Sequence, residues 1–128
     1  MYKRQAIDHA VLSDGCIINR AQISDSIVGV RSVVGDGTMI QRVVMMGADY
    51  YESADSIDRN NTLGRPPLGI GSNTRIQNAI IDKNARIGNN CIISPAGKEE
   101  DCDGETYYVR DGIVIIPKNA IIPDNTVI

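Results

Sequence analysis

The chain has 128 residues and a formal net charge of −3, from 13 Lys+Arg against 16 Asp+Glu, which is the size of one domain with a substantial apolar core. Ile and Val together number 30 while Leu numbers only 3, and Phe and Trp are missing, so the composition excludes a helical bundle. The mild acidity without a block of basic residues predicts neither a nucleic-acid partner nor a membrane surface.

The chain start and the cysteines indicate the compartment. The first six residues lack the apolar core of a signal peptide, and no run approaches the length of a membrane span. The three cysteines, Cys16, Cys91 and Cys102, form no CxxC pair and are odd in number. Reduced thiols in a cytoplasmic protein are therefore expected.

A six-residue repeat runs through the chain in the order aliphatic, Gly/Pro/Ser, two turn residues, a small residue and a variable residue. A five-residue variant occurs at residues 23–28, 40–45 and 76–81. Two sixes and one five give 17 residues, which is the spacing from Ile23 to Ile40 and from Ile70 to Ile87. The aligned six-residue units, each given up to and including the aliphatic residue that opens the next unit, lie at residues 12–18, 34–40, 70–76, 87–93, 116–122 and 122–128.

Each unit is predicted to be a short strand plus a corner, with three units forming one coil of a triangular parallel β-helix. The branched aliphatic residue points inward and stacks on its equivalents above and below. The small residue, which includes Cys16 and Cys91, packs inside the corner. The fourth residue turns with positive φ, as Gly and Asn tolerate. This position holds Gly15, Gly37, Asn73, Asn84, Asn90, Asn119 and Asn125.

The expected domain is a single β-helix with coils at about 7–46, 70–93 and 109–128, interrupted by two inserted loops at 47–69 and 94–108. Each insert carries a Tyr-Tyr pair, Tyr50-Tyr51 and Tyr107-Tyr108. These aromatic residues are expected to anchor the inserts to the helix faces, with a ligand or partner contact as the alternative.

Four strings resemble the C-terminal domain of glucose-1-phosphate adenylyltransferases of the plant and cyanobacterial type. They are Ser26-Ile-Val-Gly-Val-Arg-Ser32, Met45-Met-Gly-Ala-Asp-Tyr-Tyr-Glu52, Gly69-Ile-Gly71 and Ile80-Ile-Asp-Lys-Asn-Ala-Arg-Ile-Gly88. The resemblance implies a left-handed helix, a hand that general crossover preferences would not predict. It also implies a regulatory and assembly domain of an enzyme that makes ADP-glucose and pyrophosphate from ATP and glucose 1-phosphate in glycogen or starch synthesis.

The resemblance further implies partners and site residues. The partners are an N-terminal nucleotide-binding domain, sister subunits and a phosphorylated effector such as 3-phosphoglycerate. Cofactors are expected in the catalytic domain only, as Mg²⁺ and ATP, and this chain is expected to be inactive alone. If the source is a plant, the compartment is the plastid. The effector-binding lysines of the family match Lys83 and Lys118.

Counting with the 17-residue coil puts Val28, Met45 and Ile81 on one edge of the triangle, with Arg31 and Lys83 beside it, two coils or about 10 Å apart. The count therefore predicts an anion site beside Arg31 and Lys83. Lys118, which the resemblance adds as an effector-binding residue, is expected to complete the site only with the catalytic domain or to form a second one. Lysine offers a compact charge to an anion and arginine a bidentate fork. The same count puts Lys118 on a different edge.

Other functions remain as alternatives. A purely structural oligomerisation module fits the same repeats, since the terminal coils of a β-helix present unpaired edges. A hexapeptide acyltransferase needs a histidine base, and His9 is the only histidine. A zinc site of three histidines is excluded for the same reason. The acidic residues 99–105 match no calcium loop and are predicted to be solvated.

Overall fold

The computed structural model describes residues 6–95, 101–104 and 106–128, in which there are fifteen strands and one helix. The helix is α1 (Ala54–Thr62). The strands are β1 (Ala6–Asp8), β2 (Val11–Leu12), β3 (Ile17–Ile18), β4 (Gln22–Ser24), β5 (Ile27–Val28), β6 (Val33–Val34), β7 (Met39–Met45), β8 (Gly69–Ile70), β9 (Arg75–Ile81), β10 (Arg86–Ile87), β11 (Ile92–Ile93), β12 (Cys102–Asp103), β13 (Tyr108–Arg110), β14 (Ile113–Ile116) and β15 (Ile121–Ile122).

The parallel pairing of these strands forms three faces of a triangular coil. The first face joins β1, β4, β7, β9 and β11. The second joins β2, β5, the second halves of β7 and β9, and β14. The third joins β3, β6, β8, β10 and β15. This all-β parallel architecture agrees with the repeat.

The core is a set of aliphatic columns inside the triangle. Ile87, for example, is fully buried and pairs with Ile70 on one side and Ile122 on the other. The same holds on the first face, where Ile23, Ile40 and Ile76 are in register and buried. The branched side chains therefore fill the interior coil by coil, as the repeat predicts.

The corners follow the predicted backbone. All seven Gly and Asn residues named for the turn position have positive φ, between 56° and 76°. Positive φ also occurs at positions that were not predicted, including Arg31 and Arg42 at 53° and Asp25 at 49°. The corner geometry is thus imposed by the coil, even on residues that do not favour it.

The small corner residues lie inside. Thr38, Thr74 and Cys91 are fully buried, and their side chains donate to backbone carbonyls of the next coil. Cys16, in the first coil, is half-buried. Cys91 is therefore a structural thiol, as predicted from its position, and the side chain of Cys102 lies outside the described residues.

The two stretches without repeats are more ordered than the loops expected there. The first contains α1, whose N-cap Ser53 accepts a hydrogen bond from the Ser56 backbone N–H. In the described part of the second, β12 and β13 run antiparallel and extend the second face beyond β14. Regular secondary structure forms in both because a helix cap and a hairpin satisfy the local backbone groups.

Candidate functional site

The register brings Lys83 and Lys118 together at one corner. Val28, Met45, Ile81 and Ile116 are in register on the second face, and Lys83 and Lys118 each follow two residues later. The Asn119 backbone N–H donates to the Lys83 carbonyl at 3.0 Å. The expectation that Lys118 lies on a different edge is wrong, because β14 resumes the second face after the hairpin and restores the register.

Arg31 lies on the same corner, two coils before Lys83, as expected. Its Nε donates to the Ala48 carbonyl at 3.0 Å. The other N–H groups of the guanidinium form no hydrogen bond with any described residue. One coil lies between the coils of Arg31 and Lys83. In that coil the chain leaves the β-helix after Met45. We call Arg31, Lys83 and Lys118 the cationic corner.

Asp49 is a fourth charged residue of this site, and sequence reasoning missed it. Its Oδ1 lies 3.3 Å from the Lys83 Nζ. Its backbone N–H donates to Asn84 Oδ1 at 2.9 Å, and Asn84 Nδ2 donates to Asp49 Oδ2 at 3.0 Å. The hydrogen bond from Asn84, followed by that from Lys83, lowers the pKa of Asp49 below its usual range. Its position inside the Met45–Glu52 string was the available signal.

The corner brings cations and carboxylates together. Asp49 is held by Lys83 and Asn84, and Asp82 accepts a hydrogen bond from the Lys83 backbone N–H at 2.7 Å. Lys118 is exposed and forms no ion pair with any residue that the structure describes. An arriving anion would therefore meet the ammonium of Lys118 and the guanidinium of Arg31 without first breaking an ion pair.

The buried carboxylate of Glu52 fixes the segment that carries Asp49. We call residues 46–68 the connecting segment. The Glu52 side chain is only 4% exposed and lies 2.7 Å from Arg86 Nη1. It accepts further hydrogen bonds from the Leu68 backbone N–H, Ser56 Oγ and Asn60 Nδ2 at 2.8–3.0 Å. Glu52, near the start of the segment, thereby holds Leu68 at its end and fixes both to Arg86 of β10.

The ionisation of Glu52 is set by two opposing effects. Burial acts against the charged form and is the largest single effect. The hydrogen bonds from the Leu68 backbone, Arg86 and Ser56 together outweigh it, so the pKa of Glu52 lies below its usual range. The carboxylate is therefore charged at neutral pH, and its contacts are a fixed part of the fold.

A groove of about 500 Å³ lies between the connecting segment and the third face. Its apolar lining includes Ile17, Val33 and Leu68, and Arg31 reaches it from the corner. Tyr50 and Tyr51 are about half exposed, and the Tyr51 hydroxyl donates to the Gly15 carbonyl at 2.7 Å. Tyr51 thus anchors the segment to the coil, as expected of the aromatic pairs, and the groove adjoins the cationic corner.

The remaining candidate residues are dispersed. His9 is exposed, with Nδ1 4.0 Å from Asp25 Oδ1. The acidic residues 99–105 fall partly outside the described residues, and Asp103 forms an ion pair with Arg110 at 2.6 Å. Among the described residues there is no group of three potential metal ligands. None of the helices described is long and apolar enough to span a membrane.

Comparison with known proteins identifies the family. The chain is 47% identical over 122 residues to the large subunit 1 of the chloroplastic/amyloplastic glucose-1-phosphate adenylyltransferase of Zea mays, covering 94% of this chain and 24% of that protein. The chain thus spans about a quarter of the length of this curated relative. The family model named GLGC left-handed parallel beta-helix domain matches residues 1–127. The chain belongs to the GLGC left-handed parallel beta-helix domain family.

Proposed function

We propose that this chain is the regulatory domain of a glucose-1-phosphate adenylyltransferase and that its cationic corner binds a phosphorylated effector. The observation that carries the proposal is the placement of Lys83 and Lys118 on consecutive coils of one corner. Strand spacing puts their backbones about 5 Å apart, so both side chains reach one phosphate group. Arg31 would then contact a carboxylate or a second polar group of the effector.

Asp49 gives the site a means of regulation. Its ion pair with Lys83 competes with an incoming anion, so binding would exchange one negative partner of Lys83 for another. Because the connecting segment carries Asp49, this exchange would alter the segment that lines the adjoining groove. An effector signal would in this way pass from the corner to the groove.

The catalytic reaction is proposed for the whole protein. The maize relative is about four times the length of the matched region, and ATP, Mg²⁺ and glucose 1-phosphate would bind outside this domain. The domain would contact its own nucleotide-binding domain and sister subunits. A plastid is proposed if the source is a plant, following the maize relative, and the cytoplasm otherwise.

Thermal unfolding with increasing phosphate or 3-phosphoglycerate tests the effector proposal. The wild-type chain should be stabilised, and Lys83→Ala and Lys118→Ala should each lose most of the shift. Arg20→Ala is the matched control, since Arg20 is an exposed cation on another corner. Equal ligand-dependent shifts in all four proteins would overturn the proposal and leave the purely structural oligomerisation domain as the better description.

A further inference from the structure

Exposed apolar side chains converge on the groove between the connecting segment and the third face. Four of its lining side chains are large, mainly apolar and 39–53% exposed, namely Ile17, Tyr50, Tyr51 and Ile57. The volume of about 500 Å³ is within the range of sites that bind small molecules, and such sites are also mostly apolar. The groove is therefore large enough to hold one organic ring with its substituents.

Of the described residues that line the groove, two are charged, and they differ in what they can offer a ligand. The Glu52 carboxylate is already held by Arg86, by the Leu68 backbone N–H and by two side chains of α1. Arg31 donates through Nε to the Ala48 carbonyl, and its other N–H groups form no hydrogen bond with any described residue. The groove thus offers a guanidinium to an anionic group, and its one carboxylate is already neutralised by its own partners.

The charged end of the groove is built beside Gly15. The Tyr51 hydroxyl donates to the Gly15 carbonyl at 2.7 Å. A Cβ at Gly15 would collide with that hydroxyl and would lie 3.4 Å from the Arg31 Cγ. Glycine at this turn, where φ is 76°, therefore allows the Tyr51 ring and the Arg31 side chain to come close to each other. A ligand whose acid group pairs with Arg31 would bring its apolar body near an aromatic ring.

We propose that the groove binds an organic acid in which a carboxylate is attached to a flat apolar ring. The carboxylate pairs with the Arg31 guanidinium through two parallel hydrogen bonds. The ring lies against Ile17, Ile57 and the two tyrosines, where aromatic contacts add to the burial of apolar area. Lys83 and Lys118 do not line the groove, so this site is distinct from the phosphate site proposed at the cationic corner.

Titration of the ¹⁵N-labelled chain with 3-phenylpropionate in phosphate-free buffer, followed by backbone amide shifts, tests the proposal. A dissociation constant on the order of 1 mM is expected for a ligand of this size, with shifts at Val33, Tyr50 and Leu68, which line the groove. The alcohol 3-phenylpropan-1-ol lacks the charge and propionate lacks the ring, so each should bind at least about tenfold more weakly. Hexanoate, which has a flexible chain in place of the ring, should also bind more weakly than the aromatic acid.

Ile57→Glu tests the wall that the connecting segment contributes. Ile57 belongs to α1, which has no buried residue, so the substitution keeps the fold and puts a negative charge into the groove. The variant should bind 3-phenylpropionate at least about tenfold more weakly than the wild type. Leu63→Glu is the matched control, because Leu63 is 65% exposed just after α1 and does not line the groove. Its affinity should equal that of the wild type.

Arg31→Gln tests the charged end, and in this variant the acid should bind no more tightly than the alcohol. Four results would overturn the proposal: no binding to the wild type, shifts confined to other surfaces, an alcohol or hexanoate that binds as tightly as the aromatic acid, or wild-type affinity in Ile57→Glu. Phosphate titrations of the same samples report on Lys83 and Lys118, so either proposal can fail while the other stands.

Discussion

The coils and the connecting segment are held together by different physical means. The coils repeat one short pattern, and each coil is stabilised by identical aliphatic contacts with the next, as at Ile70, Ile87 and Ile122. The connecting segment has no repeat and no buried residue in its helix α1. It is held by polar contacts, several of which converge on one buried carboxylate, Glu52. Damage to a coil should therefore spread, whereas damage to the segment should stay local.

The largest effect is expected from Ile87→Asp. Ile87 is fully buried in the middle of the third face, and burying an unpaired carboxylate there costs several kcal/mol, comparable to the stability of a small domain. The variant should be unfolded by circular dichroism at 25 °C. Asp103→Ala, which removes an exposed charge, should melt within a few degrees of the wild type. Similar melting of the two variants would contradict the assigned register.

Glu52→Gln should loosen the connecting segment and leave the coils folded. The substitution leaves Arg86 without its ionic partner, and breaking a buried pair typically costs about 3–5 kcal/mol. Amide hydrogen exchange should accelerate at Leu68, whose N–H donates to Glu52, while Ile87 stays protected. Asp58→Asn on the exposed side of α1 is the matched control. Equal loss of protection at Leu68 and Ile87 would show that segment and coils unfold as one unit.

Acid should act on the segment before the coils. The pKa of Glu52 is lowered from a reference of 4.5, so its ionisation adds stability above that reference, and this is lost as the pH falls through the lowered pKa. Urea titrations at pH 7 and pH 3, followed by proteolysis of the segment, measure this loss. The pH dependence should be weaker in Glu52→Gln. An equal dependence in both proteins would assign the acid effect to other carboxylates.

The smallest effect is expected from Asp49→Asn. The amide removes the negative partner of Lys83 but can keep contact with Asn84. Because the pair is half exposed, the released attraction is small, and phosphate should bind about two- to fivefold more tightly. Calorimetric titration measures the change, with Asp36→Asn, on another corner, as the control. Weaker binding in Asp49→Asn would mean that Asp49 organises the site instead of competing for it.

The sequence predicts the coils well because their structure is local and repeated. Aliphatic spacing determines the strands, and Gly or Asn at the fourth position marks seven corners correctly. The corners at Arg31 and Arg42 were missed, since Arg does not favour positive φ and only the neighbouring coils hold it there. Asp tolerates positive φ, but Asp25 was missed because it lies in a five-residue unit, outside the fourth position of the six-residue repeat. Helix α1 was missed because its cap at Ser53 is a short signal within a segment that the repeat does not cover.

The candidate site was harder to predict than the fold. Arg31 and Lys83 could be placed by counting, because each closely follows an aliphatic residue, Val28 or Ile81, whose position in the coil the repeat predicts. Lys118 could not, since the stretch between β11 and β14 contains a hairpin whose length bears no relation to the repeat. Asp49 reaches Lys83 through contacts between residues 35 positions apart, and no periodicity encodes such a contact.

The central claim is that one corner, formed by consecutive coils, binds phosphate. The most direct measurement is a titration of the ¹⁵N-labelled chain with phosphate, followed by backbone amide shifts in NMR spectra. The account predicts saturable shifts at Lys83, Asn84, Lys118 and Asn119, and none at the corner that holds Arg20. Absent shifts at the cationic corner, or shifts of equal size at both corners, would contradict it.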